Sequence, residues 1–200
     1  MIVKVCGMRN AENIRKVEAL GIDMMGFIFY PKSSRYVSER PEYLPTKCKR
    51  VGVFVDEDIV QVKHIAEEFA LDLIQLHGSE SPEYAQRLRD WKVIKAFNIA
   101  TKEDLEATKP YEGLVDYFLF DTKGKSAGGN GEKFNWNVLS NYKGNTPFLL
   151  SGGIGPDDAG RIKVFQHPKC IGIDLNSRFE TAPALKDINK LKSFIQALQL

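Results

Sequence analysis

Eight short apolar runs recur along the 200-residue chain, and their even spacing limits the possible folds more than any other feature. Most begin about 20 to 27 residues apart, which leaves room for a strand, a loop and one helix of about ten residues. Alternation of such runs with amphipathic segments is typical of β/α proteins. We predict strands over residues 2–6, 24–29, 51–55, 71–76, 93–97, 115–120, 147–150 and 170–175.

Amphipathic segments between the runs predict the helices. One of them begins with Ser81 and Pro82, an N-capping serine followed by proline at the first helical position. Another places Ile59, Val62 and Phe69 on one face. We predict helices over residues 10–20, 58–69, 83–89, 157–164 and 187–198.

Strands that are apolar along their whole length and joined by helices indicate a parallel sheet buried on both faces. Eight β/α units in 200 residues predict a closed (β/α)₈ TIM barrel near the lower size limit of that fold. An open doubly wound sheet, the alternative, would normally have fewer strands. With 43% hydrophobic and 27% charged residues, we expect one soluble domain over residues 1–200, or at most two small ones.

Charge and hydropathy argue against two classes of partner, nucleic acids and membranes. Net charge is only +2, and the densest basic cluster, at Lys47, Lys49 and Arg50, is short and lacks flanking aromatic residues. We interpret it as a solvated helix or loop face rather than a nucleic-acid interface. No apolar stretch approaches the roughly 20 residues that a membrane-spanning helix needs.

The cysteines argue against disulfides and zinc. Cys6, Cys48 and Cys170 are odd in number, widely spaced and without a C-x-x-C pair. The alternating N-terminal residues are too few to be a signal peptide. We therefore expect a cytoplasmic protein that needs no metal.

Polar side chains stand where several predicted strands end. In a barrel the carboxyl ends of all strands meet at one face, where the active sites of such enzymes lie. A single polar strand end signals only contact with water, but a cysteine, a histidine and several aspartates together favour a catalytic site. These residues are Cys6, Asp56, His77, Asp121, Ser151 and Asp174.

Two loops predict a phosphate site. The sequence S-G-G-I-G-P at residues 151–156 follows the seventh strand, and Asn176 and Ser177 follow the eighth. Loops after these two strands form the usual phosphate site of the barrel fold, and glycines let backbone amides approach an anion. A glycine pair alone can be a simple turn, so its position after the seventh strand carries the interpretation. We predict phosphate contacts from Gly152, Gly153, Asn176 and Ser177.

The longest interval between strands contains the glycine-rich segment G-K-S-A-G-G-N-G at residues 124–131. At the catalytic face such a loop indicates a lid over the substrate, although an insertion without function is the alternative. Asn135 then suits the N-cap of a following helix.

Several sequence blocks appear together in one order. They are K-V-C-G at 4–7, G-F-I-F-Y-P-K-S-S-R-Y-V at 26–37, V-G-V-F-V at 51–55, Q-L-H-G at 75–78, F-D-T-K at 120–123 and S-G-G at 151–153. On these blocks the chain resembles the phosphoribosylanthranilate isomerase family along essentially its whole length. The F-Y-P-K-S-x-R-Y block is the most specific of them.

The resemblance implies an Amadori rearrangement of a small phosphorylated aminoribose, without cofactor or metal. Asp121 is similar to the acid that opens the sugar ring, and Cys6 to the base that removes the C2′ proton. Such an acid must stay protonated near pH 7. The thiol must be partly ionised, which Lys4 would favour if its side chain points inward.

The resemblance also implies substrate contacts. Arg35 is similar to an arginine that grips the anthranilate carboxylate, and Asp174 would hydrogen-bond the substrate's amine or sugar hydroxyls. Gln75 and His77 would shape the pocket. The oligomeric state is left open between monomer and homodimer.

Three segments depart from the family pattern. N-S-R replaces S-S-G at 176–178, G-G-N-G at 128–131 places Asn130 in the lid, and P-A-L-K-D replaces P-G-x-K-D at 183–187. We expect Arg178 to keep an ordinary backbone conformation, with its side chain facing solvent. The departures spare the acid and the base.

Three other functions compete with this interpretation. A related isomerase of histidine biosynthesis would use two aspartates, and Cys6 stands where the first would be. A synthase such as indole-glycerol-phosphate synthase would need catalytic lysine and glutamate residues that we cannot place. Only an assay separates a non-catalytic phosphate-ligand sensor from the enzyme, although the presence of Cys6, Asp121 and Arg35 together weighs against the sensor.

Overall fold

A computed structural model describes residues 1–121 and 136–199, and its centre is a closed barrel of eight parallel strands. Each strand pairs with the next, and the last closes on the first with Lys4 beside Asp174. The predicted (β/α)₈ barrel is therefore confirmed. The strands are β1 (Ile2–Val5), β2 (Met24–Ile28), β3 (Lys49–Phe54), β4 (Leu73–Leu76), β5 (Lys92–Asn98), β6 (Tyr117–Asp121), β7 (Phe148–Ser151) and β8 (Cys170–Leu175).

The five predicted helices are present, with ends within about three residues of the predicted bounds. Three begin as the sequence indicates, because the side chains of Asn10, Asp58 and Ser81 each accept a hydrogen bond from a first-turn amide. The helices are α1 (Ala11–Glu18), α2 (Ile59–Glu68), α3 (Pro82–Gln86), α4 (Ala159–Val164) and α5 (Ile188–Gln199).

Other connections contain short 3₁₀ helices or loops. Glu103–Tyr111 is a 3₁₀ helix between β5 and β6, and its Pro110 cannot donate an α-helical hydrogen bond. Trp136–Asn141 forms another before β7. Residues 29–48, between β2 and β3, contain no helix. After β8 come a hairpin of β9 (Glu180–Ala182) and β10 (Leu185–Lys186).

The interior of the barrel is apolar below its carboxyl-terminal mouth. Side chains from alternate positions of six strands pack there as one cluster, which leaves only the upper layer for polar groups. The cluster contains Met24, Val51, Leu73, Ile94, Ala96, Leu119 and Leu149. A larger cluster fills the space between strands and helices.

An irregularity in β8 sets which residues face the barrel axis. Leu149 pairs with Gly172 although Phe148 pairs with Cys170, so β8 contains one extra residue. Asp174 thereby comes to lie beside the inward-pointing Lys4. At Gly172, a Cβ would lie 2.3 Å from the carbonyl oxygen of Ile2, so only glycine fits.

Three further sequence predictions concern a basic cluster, a glycine-rich segment and membrane spans. Lys49 and Arg50 begin β3 at the amino-terminal face of the barrel, where Lys49 pairs with Asp72. The proposed lid at 124–131, with Asn130, and the N-cap Asn135 lie outside the described residues. Over 1–121 and 136–199, no helix is long and apolar enough to cross a membrane.

Candidate active site

A cavity of about 800 Å³ opens at the carboxyl-terminal mouth of the barrel. Its volume lies in the range of small-molecule sites. Every predicted site residue except Arg35, and every polar strand end named above except Asp56, contributes to its wall. The predicted residues in the wall are Cys6, Gln75, His77, Asp121, Gly152, Gly153, Asp174, Asn176 and Ser177.

Cys6 follows β1 directly and is only 3% exposed. Its sulfur packs against the backbone of β2, because a Cβ at Gly26 would lie 2.6 Å from Sγ. Glycine at position 26 therefore makes room for the thiol. Burial raises the pKa of Cys6, while the nearby Lys4 ammonium acts in the opposite direction. The site thus holds a thiol that is protonated at rest.

Lys4 points into the barrel, as expected, and is fully buried. Its Nζ donates to Asp174 Oδ1 at 2.8 Å, and Ser151 Oγ donates to Asp174 Oδ2 at 3.2 Å. Burial alone would lower the pKa of Lys4, but Asp174 and Cys6 together outweigh burial and raise it. Asp174, predicted to bind substrate, is thus also the counter-ion of Lys4.

Asp121 is the last residue of β6, and its side chain lies near His77, which directly follows β4. Its Oδ2 lies 3.9 Å from Nε2 of His77, and Gln75 Nε2 lies 2.9 Å from Nδ1 of that ring. With the amide as donor, the ring carries its hydrogen on Nε2, facing Asp121. Burial lowers the pKa of His77 despite the attraction of Asp121, so the imidazole is neutral at pH 7.

Gln75 is the most buried polar group in this part of the wall, at 1% exposure. Its Oε1 has no hydrogen-bond partner among the described residues. An unpaired buried oxygen costs about 1–3 kcal/mol. A substrate hydroxyl could satisfy it, which agrees with the predicted placement of Gln75 in the pocket.

The predicted phosphate loops lie together on the β7–β8 side. Gly152 and Gly153 have φ values of 88° and 68°, which side-chain-bearing residues rarely adopt. At Gly153 a Cβ would meet no atom of the described part of the chain within 4 Å, which leaves this backbone accessible to a ligand there. Asn176 and Ser177 follow β8 at the same rim.

The backbone of Arg178 has the ordinary conformation that we expected from the sequence. It is absent from the described non-glycine residues with positive φ, so replacing the family's glycine leaves no backbone strain. The side chain is exposed, as expected, yet part of it lines the cavity.

Arg35 lies outside the cavity wall, and its contact with the anthranilate carboxylate stays a prediction. Its Nε donates to Glu180 Oε1 at 2.9 Å and its Nη2 to Oε2 at 2.6 Å. The side chain passes beside Gly7, where a Cβ would lie 2.6 Å from Cδ of Arg35. Sequence reasoning missed Glu180, and its only available signal was an acidic residue soon after the eighth strand.

The opposite wall of the cavity, from β2 and β3, is apolar. Ile28, Val53 and Val55 line it, together with Tyr30 from the loop after β2. Strand-end valine and isoleucine attract no attention in a sequence, so these residues were missed as well. The cavity therefore has an apolar side, from β2, β3 and the residues that follow them, and a polar side that includes the loops after β7 and β8.

Comparisons with known proteins agree with this arrangement. The family model described as N-(5′-phosphoribosyl)anthranilate (PRA) isomerase matches residues 3–197. A relative of that name from Phocaeicola vulgatus is 54% identical over 201 residues, covering 100% of this chain and 98% of the relative.

Two solved structures have the same fold over the whole chain. Phosphoribosyl anthranilate isomerase from Thermotoga maritima aligns with a TM-score of 0.83 and 32% identity, covering 100% of this chain and 99% of that one. A second aligns at 0.82 and 30%, with the same coverages, and holds reduced 1-(o-carboxyphenylamino)-1-deoxyribulose 5-phosphate. The chain therefore belongs to the N-(5′-phosphoribosyl)anthranilate isomerase family.

Proposed function

We propose that this chain converts N-(5-phosphoribosyl)anthranilate into 1-(2-carboxyphenylamino)-1-deoxyribulose 5-phosphate, an Amadori rearrangement in tryptophan biosynthesis. Family membership supports the reaction, and the two-sided cavity is the observation that carries it for this chain. The substrate has a phosphate at one end and an aromatic ring at the other. The glycine loops suit the first and the apolar wall suits the second.

The phosphate lies against the loops after β7 and β8. Backbone amides of Gly152, Gly153, Asn176 and Ser177 supply the donors, because consecutive amides in such turns form anion-binding concavities. The anthranilate ring packs on the wall from β2 and β3. This orientation puts the ribose between Cys6 and Asp121.

Asp121 acts as the acid. It protonates the furanose oxygen, the bond from C1′ to that oxygen breaks, and the nitrogen lone pair forms the iminium. A neutral His77 faces Asp121, and it stabilises a carboxylate less than an imidazolium would. The arrangement therefore leaves Asp121 able to carry the proton that ring opening consumes.

Cys6 acts as the base. Its thiolate removes the C2′ proton, and the electron pair of that C–H bond neutralises the iminium to give an enolamine. Protonation at C1′ and loss of the hydroxyl proton then yield the ketone. Lys4 stabilises the thiolate, and the positive iminium adds to that effect once the ring has opened. The rearrangement is redox-neutral, so its chemistry requires no redox cofactor.

Proton NMR in D₂O tests the reaction. The purified protein should convert the ribose C1′ resonance of the substrate into a C1′ methylene that carries one deuterium, because an ionised thiol exchanges its proton with solvent. Formation of free anthranilate instead of the ketose, or an unchanged substrate spectrum, would contradict the proposal.

We also infer that residues 1–200 act as one domain, as a monomer or homodimer, in the cytoplasm. Its partner is a small phosphorylated substrate rather than nucleic acid or a membrane. Light scattering on the protein as it elutes from a size-exclusion column should give a mass of 22.6 kDa or twice that mass. A larger assembly, or retention on nucleic acid at physiological salt, would contradict this inference.

A further inference from the structure

Glu180 is held from three sides at the start of β9. Both of its carboxylate oxygens accept hydrogen bonds from Arg35. Oε1 also accepts from Lys186 Nζ at 2.5 Å and from the amide of Ala184 at 3.2 Å. Its side chain is only 6% exposed. A carboxylate with this many partners is anchored, so it is not a mobile stand-in for a substrate group.

Lys186 is held just as firmly. Its side chain is fully buried, and Nζ also donates to Asn176 Oδ1 at 2.9 Å. Its backbone exchanges two hydrogen bonds with the side chain of Asn13 on α1, at 2.8 and 2.9 Å. Lys186 therefore ties the hairpin to both α1 and the proposed phosphate loop.

The three charged side chains form one cluster, which contacts the cavity wall where Lys186 donates to Asn176: Arg35, Glu180 and Lys186. With all three ionised the cluster has a net charge of +1, because Lys186 balances Glu180 and leaves the charge of Arg35 uncompensated. A guanidinium has five N–H donors. Glu180 occupies those of Nε and one of Nη2, and Nη1 makes no hydrogen bond with the described residues.

We propose that Glu180 and Lys186 are positioning residues that hold the Arg35 guanidinium for the substrate's aryl carboxylate, and so select N-carboxyaryl substrates. The inference rests on the proposed function and on the carboxylate contact that the family resemblance implies for Arg35, and it adds two residues to them. Glu180 fixes one edge of the guanidinium fork. Lys186 balances the negative charge of Glu180, so the positive charge of Arg35 is not cancelled. A fork fixed in this way discriminates by geometry as well as by charge.

The test compares two substrates, the phosphoribosyl adducts of anthranilate and of aniline, which lacks the carboxylate. In Glu180→Gln the amide cannot accept from both edges of the fork, so Arg35 loses its fixed direction. We expect KM for the anthranilate adduct to rise about tenfold while kcat changes less than twofold. KM for the aniline adduct should not change. Glu180→Asp, one methylene shorter, should give an intermediate KM.

Glu112→Gln is the matched control. Glu112 is half-buried and lies before the amino-terminal end of β6. Its carboxylate accepts hydrogen bonds from Tyr142 and Thr146. This variant should lose stability to urea but keep both KM values. If Glu180 merely competes with substrate for Arg35, Glu180→Gln will lower KM for the anthranilate adduct, which overturns the proposal.

An equal rise in KM for both adducts would also overturn it, because the effect would then be independent of the carboxylate. Failure of the proposed function is distinguishable from these outcomes, since the wild-type protein would then isomerise neither adduct. Should Glu180→Gln not fold, the KM comparison for Glu180→Asp alone decides the matter.

Discussion

Nζ of Lys4 lies 2.8 Å from Oδ1 of Asp174, inside the barrel and one inward position before Cys6. The pair is buried, and a buried ion pair contributes little net stability compared with apolar side chains of the same shape. Its position beside the thiol indicates a different task. Within the pair, the Lys4 ammonium supplies a positive charge that lowers the free-energy cost of ionising Cys6.

Removing Lys4 should therefore shift the pH dependence of Cys6. In Lys4→Met/Asp174→Asn both charges are gone, and because Lys4 affects the thiol more than Asp174 does, the pKa of Cys6 should rise. The alkylation rate of Cys6 by iodoacetamide, followed by mass spectrometry from pH 7 to 11, should move to higher pH. An unmoved profile would remove Lys4 from the account.

Lys4→Met alone provides the companion measurement. It leaves Asp174 buried without its counter-ion, which costs about 3–5 kcal/mol of folding free energy. Urea unfolding should show this loss, and the double variant should recover part of it. Equal stabilities of the single and double variants would mean that the ion pair is not formed.

Asp121→Asn tests the acid. Asparagine keeps the shape of the side chain but cannot deliver the proton for ring opening, so kcat should fall by about two to four orders of magnitude. Binding of the reduced product analogue should survive, and calorimetry can measure it. A fall of no more than about tenfold would assign proton delivery to another group, with Asp174 the first to test.

Arg178→Ala tests the rim of the phosphate site. The exposed side chain lines the cavity, but the backbone amides of the two loops can hold the phosphate without it. We expect kcat/KM to fall less than about tenfold, which is under roughly 1.4 kcal/mol. A loss beyond a hundredfold that high substrate concentration restores would make the guanidinium a primary phosphate ligand.

Sequence patterns predicted the barrel because its determinants are local. Apolar strands have a short period, capping residues such as Asn10 and Ser81 act within one turn, and the carboxyl ends of parallel strands must share one face. Cys6 and Asp121 could be placed at the mouth for that reason alone. Their predicted chemistry came from the family resemblance.

The contacts of Arg35 could not be predicted in the same way. Its partner Glu180 is 145 residues distant in the chain, and the two meet through a loop without helix and a short hairpin. The family's glycine in that hairpin becomes Ala184 here, with φ of 63°. Such a residue costs about 1–2 kcal/mol, so the sequence departure marks backbone strain at the hairpin.

A half-buried histidine away from the site, His167, predicts acid sensitivity. His167 Nδ1 accepts from the amide of Lys169 at 3.1 Å, and Nε2 lies 3.2 Å from the carbonyl oxygen of Tyr142. Burial lowers the pKa of His167 in the folded protein. The unfolded chain, with an ordinary value near 6.5, therefore binds the proton first as pH falls.

The free energy of unfolding should consequently fall between about pH 7 and pH 5, since stability from a lowered histidine pKa is present above the unfolded value. His77 contributes in the same direction. In His167→Gln the decline should be shallower, with about 1 kcal/mol lost at pH 7.5. His64→Gln, on the exposed face of α2, is the control and should leave the slope unchanged. A steeper slope in His167→Gln would contradict the assignment.

The central claim, that Cys6 is the base of an isomerisation inside this cavity, is tested most directly by kcat of Cys6→Ala. The substitution removes one small buried group, so the variant should fold and bind the reduced product analogue. We predict that kcat for N-(5-phosphoribosyl)anthranilate falls by about two to four orders of magnitude, as expected for a lost general base. A kcat within about tenfold of the wild-type value would show that another group removes the C2′ proton.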